Sequence, residues 1–231
     1  MAASDLGQAK RLHILLTHLH LDHIQGLLFF APLFDPEAEI TVWGPPGRAP
    51  LRRRLARYLS NPLSPIELGE LPATVEFREV PADAWRLGEL ELRGALVAHR
   101  GPTLGYVITD RDASLCYLPD HEPGLGTALR SAPAEWVSGL AIARGVGVLI
   151  HDAQYTGEEY AARRGWGHSS VEDTLAFAKR AQPEQLLLFH HDPDHDDQHL
   201  ESLAAQAADE AADLGVDGGV RLARESDVVE L

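Results

Sequence analysis

Three imidazoles and one carboxylate fall within a short stretch, Thr17-His18-Leu19-His20-Leu21-Asp22-His23. In extended or loop backbone, alternate residues point the same way, so His18, His20 and Asp22 can converge on one side. His23 breaks the alternation and can address a second point. That spacing suits two adjacent metal ions better than one. Neutral imidazole together with carboxylate favours zinc, with manganese or iron as substitutes. A solvated polar turn has no need of such spacing.

The motif directly follows Leu12-His13-Ile14-Leu15-Leu16, an apolar run that reads as a short buried strand in which His13 is a packed strand residue. The same strand-then-ligand arrangement recurs. A strand over 89–98 ends at His99, one over 114–118 at Pro119-Asp120-His121, one over 146–150 at His151-Asp152, and one over 185–189 at His190-His191. Further strands are expected over 39–44, 74–80, 104–110 and 219–223, with a hairpin joining 104–110 to 114–118. Helices are expected over 48–60, 133–144, 158–164, 171–181 and 195–214. Strands come first and strand–helix alternation follows, a pattern of α/β sheets flanked by helices. In such layered folds ligands gather at strand ends, where loops supply polar groups on a rigid frame. His18, His99, Asp120 and His190 each follow a separate strand and together could complete a two-metal cluster.

Ser169 with Glu172 fits a capping box, which puts His168 of Gly167-His168-Ser169-Ser170 just outside a helix N-terminus. Of the other polar candidates, His121 reads as an exposed loop histidine. Asp152 could hydrogen-bond a ligand or His168. The run Asp192, Asp194, His195, Asp196, Asp197 and His199 reads as a solvated loop and helix cap. Five arginines over 48–60 (Arg48, Arg52, Arg53, Arg54 and Arg57) read as a solvated basic face.

A length of 231 residues favours one domain over 1–231 with a sizeable core, and the 45% apolar share is that of an ordinary globular chain. Against 20 basic side chains stand 35 acidic ones, for a net charge of −15. That balance disfavours general nucleic-acid binding and anionic membranes, where affinity rests on neutralising phosphates. Cys116, the single cysteine, excludes an intramolecular disulfide and suits a reducing compartment. No apolar run approaches the roughly 20 residues a membrane helix needs, and no signal-peptide pattern opens the chain. A cytoplasmic location is the expectation.

Taken in order, the Thr-His-Leu-His-Leu-Asp-His motif at 17–23, the lone His99, Asp120 after a Tyr-Leu-Pro strand end, and His190 after Leu187-Leu188-Phe189 resemble the metallo-β-lactamase superfamily over essentially the whole chain. The resemblance implies an αββα sandwich. It also implies one metal on His18, His20 and His99, the other on Asp22, His23 and His190, and Asp120 bridging both. Within the superfamily, His99-Arg100-Gly101-Pro102-Thr103-Leu104-Gly105-Tyr106 is similar to the ribonuclease Z-like and cyclic-phosphodiesterase-like branch, as is Gly44-Pro45-Pro46-Gly47. Gly167-His168-Ser169-Ser170 resembles that branch's His-Ser-Thr motif, whose histidine assists phosphate-ester cleavage. His20, where flavo-diiron oxidoreductases carry glutamate, points away from those relatives.

The implied activity is hydrolysis of small or cyclic phosphodiesters. Two metals can clamp a phosphate and hold a hydroxide that is nucleophilic near neutral pH. Asp22 orients the attacking water, Asp120 bridges, and His168 serves as general acid. The long basic arm of tRNA-processing members has no counterpart, which with the acidic charge turns the expectation from nucleic acid to a small-molecule phosphodiester. Alternatives are a metal-binding but catalytically silent or regulatory protein, and a lactone or thioester hydrolase on the same centre. Members of the family carry several strands ahead of the first metal motif, and the expected fold lacks them. An uncovered sheet edge then predicts self-association into a homo-oligomer.

Overall fold

The computed structural model describes residues 9–124, 129, 131–214 and 219–229. The chain divides into two compact units, Met1–Pro81 and Ala82–Leu231.

The first unit holds a three-stranded parallel sheet of β1 (Arg11–Leu15), β2 (Glu39–Gly44) and β3 (Thr74–Glu79), in that order. Ile40 and Val42 on β2 pack with Leu16, Ile24, Leu33, Leu51 and Leu55 into its core. β1 is an edge strand and is half-buried, not buried: Arg11 and His13 face outward. His13 Nδ1 nevertheless has a packing partner, accepting from the indole N–H of Trp43 at 3.2 Å. The extended backbone after β1 lasts only to His20, where α1 (Leu21–Ile24) begins. The helix expected over 48–60 is shorter, α2 (Leu51–Leu55). Pro50 starts it, no side chain caps it, and Arg54 turns inward to donate to the carbonyls of Ala49 and Pro45 and to Glu79. The other four arginines of the stretch are exposed.

The second unit is built on a seven-stranded sheet. Its strands are β4 (Trp85–Leu87), β5 (Leu90–Val97), β6 (Thr103–Asp110), β7 (Ala113–Leu118), β8 (Val148–Asp152), β9 (Gln185–Phe189) and β10 (Val220–Leu222). Their spatial order, β10-β9-β8-β7-β6-β5-β4, is the sequence order reversed. β4 to β7 pair antiparallel, including the expected β6–β7 hairpin, while β7 to β10 pair parallel. β5, β7, β8 and β9 therefore all run the same way, and the segments leaving them emerge along one edge of the sheet. The helices are α3 (Leu140–Ala143), α4 (Gly157–Arg163), α5 (Val171–Ala181) and α6 (Asp197–Leu214). Leu149, Leu186, Leu188, Leu175, Phe177 and Ala178 are wholly buried in the core between sheet and helices.

Three expectations are corrected here. The strand expected over 89–98 has a short antiparallel partner just before it, β4, where no strand was expected. The helix expected over 133–144 is split into a 3-10 turn (Ala134–Trp136) and α3, because Gly139 between them sits at φ 72° in the left-handed region. The capping residue of α5 is Ser170, which accepts from the Asp173 amide. A reciprocal capping box forms instead at α4, between Thr156 and Glu159.

Candidate metal centre

In the first unit the four ligand candidates lie on the turn that joins β1 to α1. His18 Nε2 and His20 Nδ1 are 3.0 Å apart. Two tetrahedral ligands at Zn–N distances near 2.0–2.1 Å would be separated by about 3.3 Å. Thr17 Oγ1 lies 3.1 Å from His18 Nδ1 and can accept its proton, which turns the Nε2 lone pair toward His20. Asp22 and His23 fall within the first turn of α1, so the alternation expected of extended chain ends at His20. Helical rotation swings His23 back until its ring centroid is 4.2 Å from that of His18. The Asp22 carboxylate contacts His23 Nε2 at 3.2 Å.

In the second unit, His99, Asp120, Asp152, His168 and His190 come together at the edge where β5, β7, β8 and β9 end. Asp120 is buried, with Oδ2 at 3.8 Å from His99 Nε2 and 3.4 Å from His190 Nε2. Ligand-capable atoms of His99, Asp120 and His168 lie within 4.8 Å of one another, as do those of Asp152, His168 and His190. His99 Nδ1 lies 2.7 Å from the carbonyl oxygen of Gly167. A carbonyl only accepts, so the proton is on Nδ1 and the Nε2 lone pair is turned toward Asp120. Anchoring of one imidazole nitrogen on a backbone carbonyl, which fixes the tautomer, is the usual setting of a metal-bound histidine. His190 is in the left-handed region at φ 59°, a conformation that costs a non-glycine residue on the order of 1 kcal/mol. Its ring stacks on His168, with centroids 4.8 Å apart and planes 10° from parallel. The nitrogen and carboxylate donors within each unit are of the type that suits zinc.

Asp152 is the wholly buried hub of this edge. Its Oδ1 accepts from the amides of Gln154 and Ser169, at 3.1 and 3.2 Å. Its Oδ2 accepts from the amide of His121 at 3.0 Å and from His168 Nδ1 at 2.7 Å. Burial works to lower the His168 pKa, but the hydrogen bond and charge of Asp152, with Asp120 and Glu122 beyond, raise it above the ordinary imidazole value. A proton held on His168 is what a general acid requires.

His121 corrects the expectation of an exposed loop residue: it is fully buried. Its Nδ1 is 3.0 Å from His151 Nε2, and both rings pack on Phe177. Burial, then the facing imidazole, holds His121 well below its usual pKa, and burial lowers His151 as well. A further buried acid, Glu122, lies outside the residues singled out by spacing. Its Oε1 accepts from the Tyr160 hydroxyl and the Gly165 amide, and its Oε2 from the Gly167 amide, each at 2.8 Å. The signal was present in Asp120-His121-Glu122, two acids at alternate positions in a strand-end loop. His195 is also tied down, with Nε2 3.0 Å from Glu159 Oε1, where a solvated loop was expected.

Strand-end imidazoles and carboxylates on a mixed α/β frame define a class, and comparison with known proteins identifies it. The chain belongs to the beta-lactamase superfamily domain family, whose model matches residues 3–191. Ribonuclease Z of Bacillus velezensis is 28% identical over 215 residues, covering 77% of this chain and 68% of that protein. Among solved structures, a new diphosphatase from the PhnP family is 20% identical with a TM-score of 0.65, covering 97% of this chain and 73% of that one. Zn(2+)-bound PqqB from Methylobacterium extorquens is 14% identical, also with a TM-score of 0.65, covering 95% and 73% of the two chains. The mixed α/β chain thus has the metallo-β-lactamase fold, and it is a hydrolase of that superfamily. Among the described residues, no helix is long and apolar enough to cross a membrane.

Proposed function

We propose that the chain is a dinuclear metal-dependent phosphodiesterase acting on small or cyclic phosphodiesters. The observation that carries this reading is the His168–Asp152 pair, 2.7 Å apart, beside His99, Asp120 and His190. A poor alkoxide leaving group needs a proton, and a buried carboxylate that favours the protonated form of the imidazole beside it suits that imidazole as the donor. Thioester cleavage, which expels a thiolate, makes less demand on such a donor. The ligand set adopted from the resemblance is His18, His20 and His99 for one ion and Asp22, His23 and His190 for the other, with Asp120 shared. Two divalent ions, zinc above all, would supply Lewis acidity toward the phosphoryl oxygens and activate the attacking water.

The residues of the chain do the rest. Asp22 orients the water, His168 delivers its proton to the leaving oxygen, and Asp152 holds the ring in the matching tautomer. The ribonuclease Z relatives point to phosphodiesters as the substrate class. The net charge of −15 favours small diesters over RNA, since a polyanionic substrate would meet a repulsive surface.

Metal analysis paired with bis(p-nitrophenyl) phosphate turnover tests the reading in wild type and Asp120→Ala. About two ions per chain and turnover that Asp120→Ala abolishes are expected. Bound metal with no diester turnover, alongside activity on lactones or thioesters, would move the substrate class. Metal without turnover on any of the three panels would leave a silent or regulatory protein, and faster cleavage of a tRNA precursor than of small diesters would overturn the preference for small substrates.

A further inference from the structure

We propose that Glu122 is a positioning residue of this centre, fixing the tautomer of His99 and the seat of His168 through the glycine loop 165–167. The inference rests on the hydrolase reading above and extends it to a residue that touches neither substrate nor metal.

Glu122 is 1% exposed, and its two oxygens accept three hydrogen bonds from neutral donors. Two of these donors are the amides of Gly165 and Gly167. The Gly167 carbonyl in turn takes the proton of His99 Nδ1 at 2.7 Å, and His168 is the next residue in the chain. The loop is also tied beside His99, where Arg100 Nε donates to the Gly165 carbonyl at 3.3 Å. Gly167 is at φ 100°, and a Cβ there would lie 2.4 Å from His99 Nδ1. Glycine is thus required on two counts, backbone conformation and the close approach of the imidazole. Glu122 lies two residues beyond Asp120, and the Glu122 amide donates to the Ala98 carbonyl at 2.9 Å, next to His99.

One carboxylate therefore links three groups of the site: Asp120 by chain, His99 through the Gly167 carbonyl, and His168 through the backbone that follows. A buried acid serving packing alone would not need both oxygens aimed at the amides of the segment that sets a ligand's tautomer. Outer contacts of this kind orient ligand histidines, and their removal weakens metal affinity or activity by roughly 10–100-fold.

The test compares wild type with Glu122→Gln, in which an amide N–H₂ must face one of the glycine N–H groups. Long-range proton–nitrogen correlation on histidine-labelled, metal-free protein reads the His99 tautomer, and chelator competition reads zinc affinity. Expected are an Nδ1–H tautomer at His99 in wild type, its loss in E122Q, and zinc affinity about 10–100-fold weaker. On a diester with an alkoxide leaving group, kcat should fall while KM changes little. A folded E122Q that keeps the tautomer and the zinc affinity of wild type would overturn the proposal, as would an Nε2–H tautomer at His99 in wild type. Should E122Q fail to fold, Glu122→Asp takes its place with the same two outcomes, its carboxylate being one methylene short of the glycine amides. Because the tautomer is read without metal or turnover, failure of the phosphodiesterase reading would leave the role of Glu122 separately scored.

Discussion

Asp152 Oδ2 faces His168 Nδ1 across 2.7 Å, and the same carboxylate holds the backbone of His121, Gln154 and Ser169. Asp152→Asn would keep the shape of the hub but turn an amide toward the imidazole and remove the charge that keeps it protonated. On a diester with an alkoxide leaving group, His168→Ala and Asp152→Asn should each lower kcat by about 10²–10⁴-fold. The loss should be smaller with p-nitrophenolate, which leaves without a proton. Full turnover of the alkyl ester by H168A, measured at saturating substrate, would remove His168 from the reaction.

Phe177 is wholly buried, and its ring lies against both His121 and His151. Phe177→Ala leaves a cavity under the buried imidazole pair and should cost about 3–5 kcal/mol in urea unfolding. A cost below about 1 kcal/mol would mean that α5 collapses onto the sheet far more readily than close-packed cores do.

Burial pushes the Glu159 pKa up, but hydrogen bonds from His195 and from the amide and hydroxyl of Thr156 prevail and hold it at about 2. A carboxylate depressed in the folded state contributes stability that is full above its unfolded value of about 4.5 and is lost as pH falls through its folded value. The Tm advantage of wild type over Glu159→Gln should therefore shrink steadily as pH falls from about 5 toward 2. A difference independent of pH between 6 and 3 would contradict the assignment.

Cys116 is fully buried on β7, and burial pushes its thiol up to about 12. The thiolate is the reactive form. Ellman's reagent should leave the native protein unlabelled over hours and titrate one thiol at once in denaturant. Rapid labelling of the native chain would show that β7 opens far more often than a central strand should.

The strand-then-ligand pattern was legible because apolar runs bounded by glycine, proline and histidine carry their own ends. Gln185–Phe189 is read and observed with the same bounds, and His99, Asp120 and His190 follow β5, β7 and β9 as expected. Less of β8 was legible: expected over 146–150, it runs Val148–Asp152, so that His151 and Asp152 are strand residues. Gly147 instead passes close to β7, its amide donating to the Ser114 hydroxyl at 3.0 Å, a contact no local pattern announces. The arginine-rich stretch 48–60 has helical composition, yet Pro50 and the lack of a side-chain cap leave only α2. His121 and Glu122 were the hardest to judge, because their burial depends on α4, α5 and the 165–168 loop, all later in sequence. Polar residues in a strand-end loop look alike until the segments that cover them are known.

The order of the seven-stranded sheet, each strand beside the one that precedes it in sequence, also has a consequence for synthesis. Every strand from β5 to β10 finds its template already made, so the sheet can be laid down from one edge as the chain leaves the ribosome. The local hairpins come first and the parallel strands, with their longer loop closures, come after. The functional edge fills in the same sequence: His99, then Asp120, then Asp152 and His168, with His190 last. His190 joins the others only when β9 docks, and the parallel edge that β9 then presents is covered by β10, whose Leu222 completes the core together with Ala207 and Ala211 of α6.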